Sequence, residues 1–249
     1  MVGPRRTDAP APSSGGRGCD RGLLRVIRLL VLLVVVCGVA VGAALYGPAL
    51  ADLADEQTTP SPSSDPPAVG DRNPDVTDPD DPGESTYETT VEKISSDTVE
   101  DFVHAEVNDR RAEHGLESIE WDGTVASVSR AHSVDMYDTE RFDHTNADGE
   151  QPYERFQAVA DYCHAYGENI AMTWVDRPIE QPGDDGTAEY QTAEGLAEGL
   201  VDQWMNSTPH RQAILEETDE IDRWDRAGVG VYIADDGEVY ATHNFCTEW

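Results

Sequence analysis

Two apolar runs near the C-terminus, Ala227-Gly-Val-Gly-Val-Tyr-Ile233 and Val239-Tyr-Ala-Thr-His-Asn-Phe245, flank the tripeptide Asp235-Asp-Gly237. Both are rich in β-branched and aromatic residues, and Asp-Gly is a tight-turn dipeptide. The pair predicts an antiparallel hairpin. Everything apolar and periodic upstream of it reads as helix. Val99, Phe102, Val103 and Val107 fall at helical spacing, with Ser96 as N-cap and Gly115 as stop. A second helix is predicted from Asp122 to Thr139, where Val125, Val128 and Ala131 share a face with His132, Asp135 and Met136. Asp143 to Glu150 is a polar loop, and Pro152 to Val159 a short helix. Ala193 to Met205 forms a helix with Leu196, Leu200, Val201 and Trp204 inward, and Thr208 caps another through Leu215. Val175 to Glu189, with Pro178, Pro182, Gly183 and Gly186, reads as a mobile acidic loop. Helices first and strands last predict an α+β sandwich rather than a βαβ repeat.

The folded region begins near Ser96, so four segments are expected: a cytoplasmic tail over 1–22, a transmembrane signal-anchor over 23–46, a linker over 52–95 and the folded domain over 96–249. The uncharged run Leu29 to Tyr46 is extended by Leu23, Leu24, Val26 and Ile27, with Arg25 and Arg28 able to snorkel. Arginines before the run and acids after it orient the N-terminus inward and the C-terminal domain outward, a single-pass membrane protein. Ala49-Leu50-Ala51 also fits a signal-peptide cleavage site, and either reading exports the chain beyond it. The linker carries seven prolines among Asp, Ser and Thr and is expected to be disordered.

Of 249 residues, 17 are basic and 50 acidic; six of the former and two of the latter precede Asp52, so 11 basic residues face 48 acidic ones from there onward. That surface repels phosphate backbones and excludes nucleic-acid binding. Acid excess with a single lysine, Lys93, is the pattern of a halophilic surface, whose self-repulsion salt screens.

Four pieces remain: Arg130-Ala-His-Ser-Val-Asp-Met136, Phe142-Asp-His-Thr-Asn146, Gly167-Glu-Asn-Ile-Ala171 and Trp204-Met-Asn-Ser-Thr-Pro-His-Arg-Gln-Ala-Ile-Leu215. Each is weak alone. In this order, ahead of Gly228-Val-Gly-Val231, they resemble the prokaryotic branch of the CAP superfamily, the cysteine-rich secretory, antigen 5 and pathogenesis-related proteins. The resemblance runs from Val99 to Phe245. It implies an α-β-α sandwich with a solvent-open cleft, lined in many members by two histidines and two glutamates that can bind a divalent metal. His144, Glu168 and His210 match three of these, and Ser207 stands where many members have the second glutamate. Two imidazoles and a carboxylate suit zinc or another divalent ion with an open position. The alternative is a hydrogen-bonded polar cluster that holds loops together.

No convincing nucleophile, base and oxyanion set is present, so no catalytic residue is assigned. Ser133 is adjacent to His132, which on a helix turns their side chains about 100° apart. Ser207 or Thr208 serves better as a helix cap than as a nucleophile. His104, His114, His164 and His243 lie on predicted surfaces or strand ends and read as structural or solvated. Cys163 and Cys246 are both exported, so a disulfide between them is favoured over two free thiols. Three functions are expected, in this order: a binding module whose cleft takes an extracellular lipid, peptide or protein ligand, with or without metal; a metal-dependent, peptidase-like hydrolase using the same cleft; and an architectural surface protein.

Overall fold

The computed structural model describes residues 61–70, 72, 76–180, 186–217 and 223–249. The predicted tail and signal-anchor, and the linker as far as residue 60, lie outside them. Among the described residues no helix is long and apolar enough to cross a membrane.

The first elements among the described residues are a short antiparallel pair, β1 (Thr86–Glu88) and β2 (Lys93–Ser95). Helix α1 (Ser96–Glu113) starts at Ser95, whose hydroxyl accepts from the amide of Thr98; the cap is thus one residue before the predicted Ser96. After β3 (Glu120–Trp121), Asp122 caps α2 (Gly123–Asp138) by accepting from the Thr124 and Val125 amides. Helix α3 (Pro152–Val159) opens with proline at its first position and a reciprocal Gln151–Glu154 capping box. Strand β4 (Cys163–Trp174), the small pair β5 (Ile179–Glu180) and β6 (Thr187–Ala188), helices α4 (Ala193–Asn206) and α5 (Thr208–Ile214), and the hairpin β7 (Arg226–Ile233) and β8 (Glu238–Glu248) complete the order. The predicted helices are present within a residue or two of their expected ends, and the hairpin is present with its second strand running three residues past Phe245.

The main sheet has the order β3-β7-β8-β4, parallel between β3 and β7 and antiparallel elsewhere. Helix α2 packs on one face, where Gly228 and Gly230 let its backbone approach; a Cβ at either would strike Ala126 or Arg130. Helices α1 and α4 cover the other face, and Val103, Leu196, Leu200 and Trp204 share one buried cluster with Val229 and Val231. Each such side chain contributes about 1.5–3 kcal/mol on burial. The result is a helix-sheet-helix sandwich, as the resemblance implied.

Two expectations need correction. The linker was expected to be disordered to Ser95, yet its described part is built into the domain. Ile94 is fully buried in the core. Ser85 accepts from the Ile233 amide at 2.9 Å, and Arg130 bonds Asp81 at 2.9 Å. Arg72 reaches Glu100 at 2.7 Å. Glu100 is fully buried and also bonds Arg130 and the Val231 amide, each at 2.9 Å. The acid composition hid this because buried charges are held by pairing rather than by apolar surface. His104 and His243, placed on surfaces or strand ends, are 5% and 0% exposed.

Candidate functional site: a cleft along the sheet edge

Strand β4 ends the sheet and carries the Gly167-Glu-Asn-Ile-Ala171 element. Its alternation sends Glu168, Ile170 and Met172 toward α2, and Asn169, Ala171 and Thr173 toward α4. The α2 side is polar near Glu168. His144 Nδ1 donates to Glu168 Oε1 at 2.9 Å, and the Arg155 guanidinium engages Glu168 Oε2. Arg155 also donates to the carbonyls of His144 at 2.8 Å and Glu150 at 3.1 Å, fastening the polar loop to α3. His132 Nε2 donates to the carbonyl of Asp143 at 3.0 Å and lies 3.8 Å from Glu168. The hydrogen bond to Glu168 raises the pKa of His144. Burial lowers that of His132.

Across the strand edge, an open groove of about 460 Å³ is lined by Phe142, Ile170, Met172, Trp204, Ser207 and His210, among others. Phe142 and Met172 are 49% and 40% exposed, the large apolar side chains that this cleft leaves open. Trp204 Nε1 donates to the Ile170 carbonyl at 3.1 Å, and Asn169 Nδ2 to that of His210 at 3.1 Å, so α4 and α5 are pinned to β4. The pKa of His210 is lowered by burial and by the nearby His144. Ser207 is the N-cap of α5 by position, but its hydroxyl makes no capping bond, contrary to expectation, and Thr208 is already helical.

The expected residues therefore divide into two sets. His144 and Glu168 are joined; Ser207 and His210 line the other wall, and no ion pair links His210 to Glu168 among the described residues. Glu168 has one oxygen on His144 and the other on Arg155, and its side chain is 1% exposed. A carboxylate so occupied is a poor ligand, and the adjacent guanidinium disfavours a cation. No group of three or more His, Cys, Asp or Glu side chains among the described residues is placed to hold a metal. The donor set does not fit the expected zinc triad and does fit the polar cluster. Ser133 is likewise committed: it donates to the Gly230 carbonyl at 2.8 Å and lies 2.9 Å from the Thr242 hydroxyl.

Residues 104–246 match the model of the Cysteine-rich secretory protein family, CAP. The chain belongs to the CAP family. Its curated relatives include an uncharacterized membrane protein of Bacillus subtilis, YlbC, 31% identical over 140 residues, covering 56% of this chain and 32% of that protein. A second uncharacterized Bacillus subtilis protein, YkwD, is 29% identical over 132 residues, covering 53% and 44%. The chain thus spans less than half the length of either. Among solved structures, an extracellular SCP-domain protein of Bacillus anthracis is similar at 24% identity and a TM-score of 0.43, over 64% of this chain and 47% of that one. An outer surface protein of Borrelia burgdorferi gives 16% and 0.48, over 66% and 98%. Within the CAP domain here, the Cys163–Cys246 disulfide is formed, with Cα atoms 5.5 Å apart, and ties β4 to β8.

Sequence reasoning missed Arg155, Phe142 and Met172. Arg155 had one usable signal: a cation in a chain with few, on the helix that follows the His144 loop. Phe142 and Met172 had none, because single apolar residues on a surface are ordinary.

Proposed function

We propose that this CAP domain is an extracytoplasmic binding module whose cleft holds a ligand directly, without a metal. The supporting observation is the pairing of an internally satisfied polar wall with an apolar groove. Glu168 has its bonds to His144 and Arg155, while Phe142 and Met172 stand open beside Trp204. Exposed apolar groups that converge on one concavity are the usual mark of a ligand site. A hydrolytic role finds no support, since Ser133 is committed elsewhere and Ser207 has no base bonded to it among the described residues.

In this reading the domain sits outside a membrane, displayed by the apolar segment over 23–46, on a halophilic surface. Protease added to intact cells should then shed a fragment that retains residues 61–249, and thermal melts should rise with salt. An apolar fluorescent dye tests the cleft itself. Emission should rise with the wild-type chain and fall to background with Phe142→Ala. Equal emission from Phe142→Ala and wild type removes the cleft as the binding site.

A further inference from the structure

The occupant of this cleft can be read from the backbone of β4. In its ladder with β8, the Val175 amide donates to the Gly237 carbonyl at 2.9 Å. Antiparallel pairing alternates, so residues 169, 171 and 173 also face β8, and the amide and carbonyl of residues 170, 172 and 174 face outward. The Trp204 indole takes the outward Ile170 carbonyl. Beyond Trp174, the bridge between Val175 and Tyr190 closes the edge. Between these two stops, both outward groups of Met172 open onto the groove and have no partner among the described residues.

We infer that the cleft binds an extended peptide, which adds as a short strand to β4 at Met172; this rests on the reading of the cleft as a binding site. One peptide residue would accept from the Met172 amide and donate to its carbonyl. Its own side chain then lies on the Met172 and Phe142 side, and the side chains before and after it both point toward Trp204 and Gln203. A wholly apolar ligand fits less well, because an acyl chain here would cover the Met172 amide and carbonyl without bonding them.

Charge selects the kind of peptide. Glu238 and Glu140 both act on the Tyr240 hydroxyl, and the Tyr240 ring lies 6.4 Å from that of Phe142, so carboxylates stand on that rim. A second copy of a chain with net charge −33 is repelled. The complementary occupant is a foreign segment with apolar residues flanked by lysine or arginine.

The test uses the intact full chain and a fluorescently labelled octapeptide of alternating lysine and valine, with binding read by anisotropy in molar salt to suppress unspecific attraction. The same peptide with every backbone nitrogen methylated keeps its charge but cannot pair. It should bind up to about tenfold more weakly, the effect of losing the bond donated to the Met172 carbonyl. Met172→Pro removes the outward amide while leaving the ladder to β8 intact, and should weaken the parent peptide similarly, whereas Met172→Leu should not. Equal binding of the two peptides overturns the inference even if the proline variant fails to fold. If neither peptide binds but the apolar dye still responds to Phe142→Ala, the cleft stands and the peptide is wrong.

Discussion

The Arg155 guanidinium and the Glu168 carboxylate form an ion pair inside the protein, with side-chain exposures of 5% and 1%. Arg155 also holds two carbonyls of the loop that carries His144. One cation therefore neutralises the cleft glutamate and positions the cleft histidine. Removing one partner of such a pair leaves the other charge buried alone.

Arg155→Met should accordingly destabilise the protein by about 3–5 kcal/mol in urea unfolding. The double variant Arg155→Met, Glu168→Leu should recover much of that loss. Isothermal titration with zinc should give the same trace for wild type and His210→Ala. Tighter binding by wild type would mean that Glu168 leaves Arg155 for a metal, against the pairing described here.

The sequence made the helix starts, the C-terminal hairpin and the cysteine pair legible, because each has a local signal. Asp122 and the Pro152 helix start are caps, Asp235-Asp-Gly237 is turn chemistry, and two exported cysteines permit a bridge. Strand β4 was not read as a strand. Its residues His164 and Glu168 break apolar alternation, since polar contacts rather than core packing hold them. The cleft histidines were found by resemblance, but their partner Arg155 was not, because a buried arginine is defined by contacts far apart in sequence. The described linker escaped notice for the same reason: Arg72 and Asp81 matter only beside Glu100 and Arg130.

The disulfide should carry a large share of stability. Cys163 and Cys246 are 83 residues apart, a loop worth about 4.5 kcal/mol in the chain-entropy model. Replacing both with alanine should lower the unfolding free energy by an amount of that order, while mass mapping of unreduced wild type should recover the linked peptides. A double variant as stable as wild type would show that the bridge contributes nothing.

The segment ahead of α1 should be required for folding. A chain shortened to 96–249 loses Ile94 from the core, the Asp81 and Arg72 partners of the buried pair, and the Ser85 bond to Ile233. Its stability should fall by at least about 3–5 kcal/mol relative to a chain beginning at 61. Ile94→Ala isolates the packing part and should cost about 2–5 kcal/mol. Equal melting of the two lengths would return the segment to the status of a tether.

Acid should unfold the protein through its buried histidines, His104 and His243 foremost, with His132, also buried and lowered by burial, acting in the same direction. His104 lies edge-on to Trp121, and His243 is packed between Trp204 and Phe245 with neither ring nitrogen bonded among the described residues. Burial pushes His104 down to about 4 and His243 well below the ordinary histidine range, where His104 and Arg111 reinforce it. Both are therefore neutral in the fold, while in the unfolded chain they take up protons below about pH 6.5. Stability from these groups is complete above that pH and is lost as pH falls, by roughly 2 kcal/mol for each histidine on reaching pH 5. His144 has the opposite sign. Its raised pKa gives stability that is present below about 6.5 and fades as pH rises through its folded value, and solvent screens it because the side chain is 46% exposed. Urea unfolding from pH 7.5 to 5 should thus show a slope to which His104 and His243 contribute about one proton each and the lowered His132 and His210 add, and His243→Phe, which keeps the aromatic packing, should reduce it by about one. A slope unchanged by His243→Phe would mean that this ring is already protonated, or hydrated, in the folded protein.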